Sequence, residues 1–345
     1  MKSRRWKTLL SLSMAISLCC SSLSYASQII IEPLDTQKET QTPSRTSQGP
    51  GEAVLGQGPG EQGQSAENPG PGTGNTFSQT QTAPSVQKPV IEAEGAVLLD
   101  AATGKVLYGK NENTTYYPAS ITKLMTALLV AERCSLDDTV SFSAKATTNL
   151  ESGAVTINMT EGDKMTVRQC LYALLLKSAN EVGNALAEHV AGSNEAFAKM
   201  MNERAASLGC TNTHFANPHG LNDPDHYTTP YDMALIARAA FENETVKTIA
   251  GTRTYTLPAT KKNPSGLTVT MGHKMINPND SRYYEGILGG KTGYTSKAGN
   301  TLATVVERDG VRLIAVVMKS RSTHYTDTKA LLDYGYELAK AGALP

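Results

Sequence analysis

The chain has 345 residues, with 32 basic and 32 acidic side chains, and only 6% of its residues are aromatic. This length accommodates one large domain or two small ones. Because the charges balance, the composition excludes the strongly basic surface expected of a protein that binds nucleic acid or an acidic membrane. Three cysteines follow the N-terminal region, Cys134, Cys170 and Cys210, and this odd number indicates no disulfide framework.

The first 26 residues have the pattern of an export signal. Basic residues at 2–7 precede an apolar stretch over 9–20 that is too short to span a bilayer comfortably. Residues 24–26 (Ser-Tyr-Ala) then present small residues where signal peptidase reads them. The sequence therefore predicts a signal peptide over 1–26 and an exported, extracytoplasmic protein, in the envelope or secreted. An uncleaved signal would attach it weakly to the membrane.

A polar segment follows the signal and extends to residue 90. It is rich in Gln, Gly, Ser, Thr and Pro, and it repeats Gln-Gly-Pro-Gly-Glu at 48–52 and 57–61. Such a composition cannot bury enough apolar area to offset chain entropy. Residues 27–90 are therefore predicted to be a disordered tether, either a spacer or filler, and residues 91–345 a folded domain.

The predicted elements place strands at both ends of this domain and helices between them. Apolar patterns predict strands over 96–100, 105–108, 286–292, 300–307 and 311–318. Helical spacing predicts helices over 120–134, 167–177, 184–190, 196–208, from Thr229-Pro230 onward, and over 326–339. Asp309-Gly310 is a hairpin signal. This order predicts an α/β (α+β) domain whose two ends assemble one antiparallel sheet.

Three short motifs with nucleophilic or cationic side chains occur in order along the domain. They are Ser120-Ile121-Thr122-Lys123, Ser178-Ala179-Asn180 and Lys291-Thr292-Gly293. Each motif alone is weak, and a further Ser-x-x-Lys at 85–88 lies in the predicted tether. The ordered set, with each member in a fitting local structure, indicates one site.

The first motif opens the helix predicted over 120–134. Residues i and i+3 share a helix face, so the Lys123 amine can approach the Ser120 hydroxyl. Serine becomes a nucleophile when a neighbour takes its proton, and lysine can do so if burial and a second cation lower its pKa. Taken alone, the motif is more typical of a capping serine and a solvated lysine.

The second motif lies where the apolar helix over 167–177 ends. Ser178 is a candidate to pass a proton between Lys123 and a leaving amine. Asn180 is a candidate to hydrogen-bond a substrate amide and to hold Lys123. Taken alone, the motif is more typical of a polar helix end.

The third motif ends a predicted strand, where Lys291 and Gly293 share one face and Thr292 takes the other. Lys291 is the candidate second cation, and Thr292 could bind a terminal carboxylate. Glycine at 293 is expected to keep a cleft open, since a side chain there would project into it. The backbone N–H groups of Tyr294 and Ser120 are candidates for an oxyanion hole. The alternative is an ordinary glycine turn.

This ordered set is the signature of penicillin-binding proteins and serine β-lactamases. From about residue 94 to the end, the chain resembles the S11 family of low-molecular-mass D-alanyl-D-alanine carboxypeptidases. The resemblance is carried by 118–126 (PASITKLMT), 176–181 (LKSANE), 217–221 (NPHGL), 226–229 (HYTT) and 290–295 (GKTGYT). It implies a β-lactamase/transpeptidase-like fold, with a five-stranded sheet flanked by helices, a helical lobe and the site between them.

The resemblance also implies a hydrolase of cell-wall biogenesis and cell shape. It would remove the terminal D-Ala from peptidoglycan stem peptides ending in D-Ala-D-Ala, through an acyl-enzyme on Ser120, and β-lactams would acylate the same serine. The implied catalytic residues are Ser120, Lys123 and Ser178. The implied substrate-binding residues are Asn180, Lys291, Thr292, Gly293 and Tyr294. No metal, cofactor or nucleic acid is expected to take part.

Two departures from the family pattern affect substrate recognition. Tyr294 stands where some relatives carry a histidine, so substrate preference could differ. The segment 324–326 (His-Tyr-Thr) lacks an arginine that relatives often place there, and Arg321 is the candidate replacement.

Three alternative functions remain open to the sequence. A class A β-lactamase would need a Glu-x-x-Leu-Asn segment, which is missing, and Ala179 stands where its middle motif has Asp. A zinc D,D-peptidase could use His214, His219 and His226, but these lie in a Pro/Gly/Asp-rich loop without a His-Glu-x-x-His pair. A slow penicillin-sensing or wall-binding module would fit the tether and could retain every motif residue.

Overall fold

The computed structural model of the chain describes residues 86–148 and 150–344. The predicted signal peptide and nearly all of the predicted tether lie outside these ranges. Within them, no helix combines the length and apolar character that crossing a bilayer requires. Val86, which falls within the predicted tether, contacts the second apolar cluster defined below.

The described strands and helices follow one another in the predicted order. The strands are β1 (Gly95–Asp100), β2 (Val106–Lys110), β3 (Thr139–Ser141), β4 (Lys164–Thr166), β5 (Thr254–Leu257), β6 (Leu267–Thr270), β7 (Ile287–Thr295), β8 (Gly299–Arg308) and β9 (Val311–Ser320). The helices are α1 (Lys123–Arg133), α2 (Ala144–Thr148), α3 (Val167–Tyr172), α4 (Asn180–Ala191), α5 (Asn194–Ser207), α6 (Pro230–Glu242), α7 (Glu244–Ala250) and α8 (His324–Lys340).

The main sheet has five antiparallel strands in the order β2-β1-β9-β8-β7, and it confirms the predicted assembly from both ends of the domain. Val316 of β9 pairs with Val97 of β1 on one side and with Ala303 of β8 on the other. Residues 313–318 are buried on both faces, because this strand lies in the middle of the sheet. The predicted hairpin is present, with Asp309 and Gly310 at φ +51° and +78°, as a type I′ turn requires.

Apolar side chains of β1 alternate between two cores on opposite faces of the sheet. Val97 belongs to the larger cluster, which the sheet forms with α1, α3, α4 and α6. Leu98 points the other way and joins Leu313 and Leu331 in the second cluster, beneath α8. The helical block therefore covers one face and the C-terminal helix covers the other.

Two predicted helices have a different geometry at the motif residues. The helix predicted over 120–134 begins as a 3₁₀ turn over Ala119–Thr122 and becomes α-helical only at Lys123. The helix predicted over 167–177 begins with a capping box at Thr166, but it changes to a π-helical turn over Ala173–Lys177. Such single turns are frequent at functional sites. Hydrophobic periodicity cannot distinguish these forms over four or five residues.

The short elements were not predicted. The pairs β3–β4 and β5–β6 form two-stranded sheets, and α2 and α7 have five and seven residues. The four strands have only three or four residues each, and each of the two helices has two turns at most, so they contain too few apolar positions to establish a period. The start of α4 at Asn180 rather than 184 was missed because its first turn carries polar residues of the second motif.

The Asp327 carboxylate on α8 fastens the segment that leads into β1. It accepts hydrogen bonds from the backbone N–H groups of Glu92 and Ala93, at 3.2 and 2.9 Å, and from the Thr323 hydroxyl at 2.8 Å. We expect Asp327→Ala to lower the free energy of unfolding by about 1–3 kcal/mol, because it leaves these donors without an acceptor. Denaturant unfolding measures this change.

The matched control is Glu337→Ala, since Glu337 lies on the same helix and is exposed. An equal loss of stability in the two variants would contradict this role for Asp327.

Candidate active site

The first motif forms a turn that places lysine directly against serine. In a 3₁₀ turn residues i and i+3 eclipse one another, and the Lys123 Nζ lies 3.0 Å from the Ser120 Oγ. Ala119, just before the serine, has φ +51°, a left-handed conformation that a non-glycine residue adopts only when its surroundings enforce it. Ser120 remains half-buried and Lys123 is fully buried.

Lys123 is surrounded by uncharged hydrogen-bond partners. Besides Ser120, its Nζ contacts the Asn180 Oδ1 at 2.8 Å and the His219 carbonyl oxygen at 2.5 Å. Burial, followed by the nearby Lys291 ammonium, holds the pKa of Lys123 well below its ordinary value. A neutral amine has two N–H donors and one lone pair. The two carbonyl oxygens can accept both donors, which leaves the lone pair for the serine hydroxyl.

The second motif follows the π-helical turn. Ser178 ends that turn in the left-handed region, at φ +70°, and is half-buried. No hydrogen bond joins its side chain to Lys123 or to any other residue within the described ranges. Asn180 is fixed more firmly, because its backbone N–H and its Nδ2 both donate to the Val155 carbonyl, at 2.9 and 3.0 Å. This leaves the Asn180 Oδ1 facing Lys123.

The third motif lies on β7, the edge strand of the sheet. Lys291 is 2% exposed, and its Nζ donates to the Thr292 carbonyl at 2.8 Å. Burial lowers the pKa of Lys291 to about 7. Thr292 is half-buried and Tyr294 is 68% exposed. Because the Tyr294 side chain is exposed, the contribution expected of this residue to the site comes from its backbone.

Glycine at 293 has a different reason from the one predicted. A Cβ there would lie 2.7 Å from the Ser120 backbone nitrogen and 2.4 Å from the Thr301 Oγ1. The missing side chain thus lets β7 pack against the turn that carries Ser120, rather than leaving open space for a ligand. The prediction of a projecting side chain was wrong, but the packing brings the third motif to the first.

The loop 217–221 forms the remaining wall and its role was missed. The His219 backbone carbonyl binds Lys123, and the Pro218 carbonyl accepts the Thr126 hydroxyl at 2.6 Å. Gly220 has φ +86°, and a Cβ there would lie 1.9 Å from the Ala119 carbonyl oxygen. Only glycine permits this approach. A backbone carbonyl has no side-chain signature, so the sequence marked the loop by family resemblance alone.

The three loop histidines do not form a metal site among the described residues. His226 accepts the Ala216 N–H at Nδ1, so its Nε2 carries the proton and donates to the Thr122 Oγ1 at 2.8 Å. Burial lowers the pKa of His226 to about 3 and that of His219 well below its ordinary value. His214 is exposed. Two of the three are therefore neutral structural groups.

Glu181 is a buried acid beside the site. No role was predicted for it from the sequence. It is 1% exposed, and its Oε1 accepts the Ile157 N–H at 2.6 Å. Its Oε2 is buried without a hydrogen-bond partner among the described residues. Burial raises the pKa of Glu181, and its charge acts on Lys123. The available signal was its position directly after Asn180 of the second motif, in the first turn of α4.

Arg321 lies beyond the end of the third motif. Its side chain is exposed, and its carbonyl accepts the Asn300 Nδ2 at 2.6 Å. Asn300 pairs with Tyr294 across β7 and β8. The arginine is therefore at the same end of the sheet as the cleft.

Comparison with known proteins gives this arrangement its family. The family model described as Peptidase S11, D-alanyl-D-alanine carboxypeptidase, matches residues 81–322. The D-alanyl-D-alanine carboxypeptidase DacF of Bacillus subtilis is 36% identical over 257 residues, covering 71% of this chain and 62% of the relative. DacB2 of Mycobacterium tuberculosis is 32% identical over 279 residues, covering 77% of this chain and 91% of the relative. The chain thus spans less than two thirds of the Bacillus relative.

Solved structures share the fold. The Streptomyces K15 DD-transpeptidase superposes with a TM-score of 0.68 at 31% identity, over 73% of this chain and 100% of that one. A D-alanyl-D-alanine carboxypeptidase from Mycobacterium tuberculosis gives 0.67 at 30% identity, over 74% and 95%. These findings confirm both the resemblance and the fold that it implied. The chain belongs to the S11 peptidase family of D-alanyl-D-alanine carboxypeptidases.

Proposed function

We propose that this protein is a serine D-alanyl-D-alanine carboxypeptidase acting on peptidoglycan stem peptides. The observation that carries the proposal is the contact between Lys123 Nζ and Ser120 Oγ, made by a buried lysine whose partners are all uncharged. Such a lysine can accept the serine proton without first losing one to solvent. The family supplies the substrate class.

The reaction proceeds through an ester on Ser120. The Ser120 Oγ attacks the carbonyl carbon of the penultimate D-Ala as its proton passes to Lys123. Collapse of the tetrahedral intermediate breaks the C–N bond, and the terminal D-Ala leaves after its nitrogen receives that proton. Water then attacks the ester carbonyl, which frees the shortened peptide as a carboxylate and restores the serine hydroxyl.

Other motif residues bind the substrate and move the proton. Ser178, half-buried beside the site, relays the proton from Lys123 to the leaving nitrogen. The backbone N–H groups of Ser120 and Tyr294 stabilise the oxyanion. The close packing at Gly293 supports this pairing, because a Cβ there would lie only 2.7 Å from the Ser120 nitrogen.

The substrate's terminal carboxylate is bound by the edge strand and its surroundings. Lys291 supplies positive charge, Thr292 a hydroxyl, and Arg321 a second cation at the same end of the sheet. Asn180 holds the substrate amide while its Oδ1 stays on Lys123. β-Lactams acylate Ser120 in the same way, because their strained amide occupies the position of the D-Ala–D-Ala bond.

We also propose that residues 1–26 direct export and that 27–90 connect this signal to the catalytic domain. Family members act on peptidoglycan, which lies outside the cytoplasm, so an exported protein fits the substrate. An uncleaved signal would add weak membrane attachment. The process served is cell-wall biogenesis and, through it, cell shape.

Replacement of the nucleophile tests the reaction directly. Ser120→Ala is expected to reduce D-Ala release from a peptide ending in D-Ala-D-Ala by roughly 10³-fold or more, since no acyl-enzyme can form. Labelled penicillin should modify the wild-type protein and leave this variant unmodified. Release is measured by coupled D-alanine assay and acylation by mass spectrometry.

Ser85→Ala is the matched control, because Ser85 opens the second Ser-x-x-Lys sequence of the chain. It should retain full activity. Equal D-Ala release by wild type and Ser120→Ala would refute the serine mechanism. Acylation without release would favour the penicillin-sensing alternative.

The pH dependence tests how Lys123 is kept neutral. We expect kcat/KM to fall as Lys123 becomes protonated, so the low-pH side (the acid limb) of a plot of kcat/KM against pH follows the pKa of Lys123. Lys291→Ala removes a cation that lowers this pKa, so we expect the acid limb to move to higher pH by on the order of one unit. Its KM should also rise, because the carboxylate loses its charge partner.

Glu181→Gln should shift the same limb in the opposite direction. The Glu181 charge raises the pKa of Lys123, so a neutral isostere lets Lys123 stay deprotonated at lower pH. Glu188→Gln, on the same helix α4, is the control and should leave the limb unchanged. Shifts of the same sign in Lys291→Ala and Glu181→Gln would contradict this electrostatic account.

A further inference from the structure

Helices α1 and α4 lie side by side and run in the same direction. Their N-terminal ends meet at the catalytic centre, where the Lys123 Nζ on α1 contacts the Asn180 Oδ1 on α4 at 2.8 Å. Their C-terminal ends also meet, because donor atoms of Cys134, which caps α1, and of His189, in the last turn of α4, lie within 4.8 Å of each other. The two helices, of 11 and 12 residues, are nearly equal in length and lie close together at both ends.

Three metal-ligating side chains converge at the C-terminal junction. Donor atoms of Cys134, Asp138 and His189 all lie within 4.8 Å of one another. Within the described ranges, no hydrogen bond or ion pair joins any two of these three side chains. Ligand atoms around a tetrahedral zinc ion, with bonds of about 2.0–2.3 Å, are separated by roughly 3.3–3.7 Å. Small side-chain rotations would therefore close the cluster around an ion.

The backbone around the cluster is already ordered. The Asp138 Oδ2 accepts the Ser135 N–H at 2.9 Å, and the Asp138 carbonyl accepts the Val167 N–H at 2.9 Å. Cys134 is half-buried against the larger core cluster, whereas His189 and Asp138 are exposed. The site would thus combine a fixed carboxylate and thiol with an accessible imidazole, and an ion could enter from solvent.

The local field favours a cation. Helix C-termini carry partial negative charge from their unpaired carbonyl groups, and two such ends converge here. The Asp138 carboxylate adds a full negative charge. A thiolate together with an imidazole selects zinc or a similar borderline ion over magnesium or calcium, which prefer oxygen ligands alone.

We propose that Cys134, Asp138 and His189 form a binding site for a zinc-like transition-metal ion, with water as the fourth ligand. Binding releases the thiol proton of Cys134 to solvent as the metal–sulfur bond forms. The site lies about 16 Å along α1 from the catalytic lysine, at 1.5 Å per residue. Its role is to brace the far ends of the two helices whose near ends carry Lys123 and Asn180. It is independent of the proposed reaction.

Zinc binding by the metal-free full-length protein tests the site. Cys19 and Cys20 are replaced by serine in every protein, so that N-terminal thiols cannot compete. Competition with a chromophoric chelator should give one zinc ion per chain. Cys134→Ser and His189→Ala should each weaken binding at least about 10-fold.

Cys210→Ser and His214→Ala are the matched controls, since they remove the same ligand types outside the cluster. Both should bind zinc as the parent does. Ser120→Ala should also retain the ion, which separates this site from the active site. Zinc should raise the Tm of the parent and of these controls, but not that of Cys134→Ser.

Cobalt supplies the signature of the ligands. Co²⁺ should give a thiolate-to-metal charge-transfer band in the near ultraviolet, which Cys134→Ser abolishes and Cys210→Ser preserves. Zinc affinity that is unchanged in both Cys134→Ser and His189→Ala would overturn the proposal. So would a cobalt complex without a thiolate band.

Discussion

The candidate site is built around one lysine amine that is fully removed from solvent. Lys123 is buried among the Asn180 amide oxygen, the His219 backbone carbonyl and the Ser120 hydroxyl. Three separate segments of chain must meet for this to happen: the turn before α1, the start of α4 and the loop 217–221. Burial is the largest cause of the lowered pKa of Lys123, and the neighbouring Lys291 lowers it further. A carboxylate in direct contact with the amine would raise the pKa of Lys123. Glu181, whose charge acts in that direction, instead accepts a hydrogen bond from the Ile157 backbone with one of its oxygens.

This convergence uses local conformations that are unfavourable on their own. Ala119 and Ser178 both have positive φ without being glycine, and each adjoins a turn that departs from α-helical geometry. Each such residue costs on the order of 1–3 kcal/mol. The surrounding packing offsets the cost. Gly220 lets the loop 217–221 pack closely against the turn that carries Ser120, and Gly293 does the same for β7. From the sheet side, the Thr301 hydroxyl also donates to the Pro118 carbonyl at 2.8 Å. The strained turn is therefore packed between the loop 217–221 on one side and the sheet on the other.

Much of this architecture was predictable because it follows from long patterns. The apolar run at 313–318, the Asp309-Gly310 turn and the helix that starts at Thr229-Pro230 each follow a simple physical rule, and the structure has all three. The motif serines and lysines were identified by residue type. The features that were not predicted have no such pattern in the sequence. They are the contact of the His219 carbonyl with Lys123, the 3₁₀ and π-helical turns at the motifs, and the close packing that requires glycine at 293. Cys134, Asp138 and His189 are separated by 4 and 51 positions, and only the parallel packing of α1 and α4 unites them.

The strand order has a consequence for how the protein is made. Val97 of β1 pairs with Val316 of β9, roughly 220 residues later, and β9 also joins β1 to β8. A ribosome has therefore produced almost the whole domain before the sheet can close. Until then β1 has an unpaired edge, and β7, with its lysine, has no connection through the sheet to β1. Such nonlocal pairing slows folding and leaves partly folded chains open to mispairing. The three motifs should consequently reach their final arrangement only after the last strand, β9, has entered the middle of the sheet.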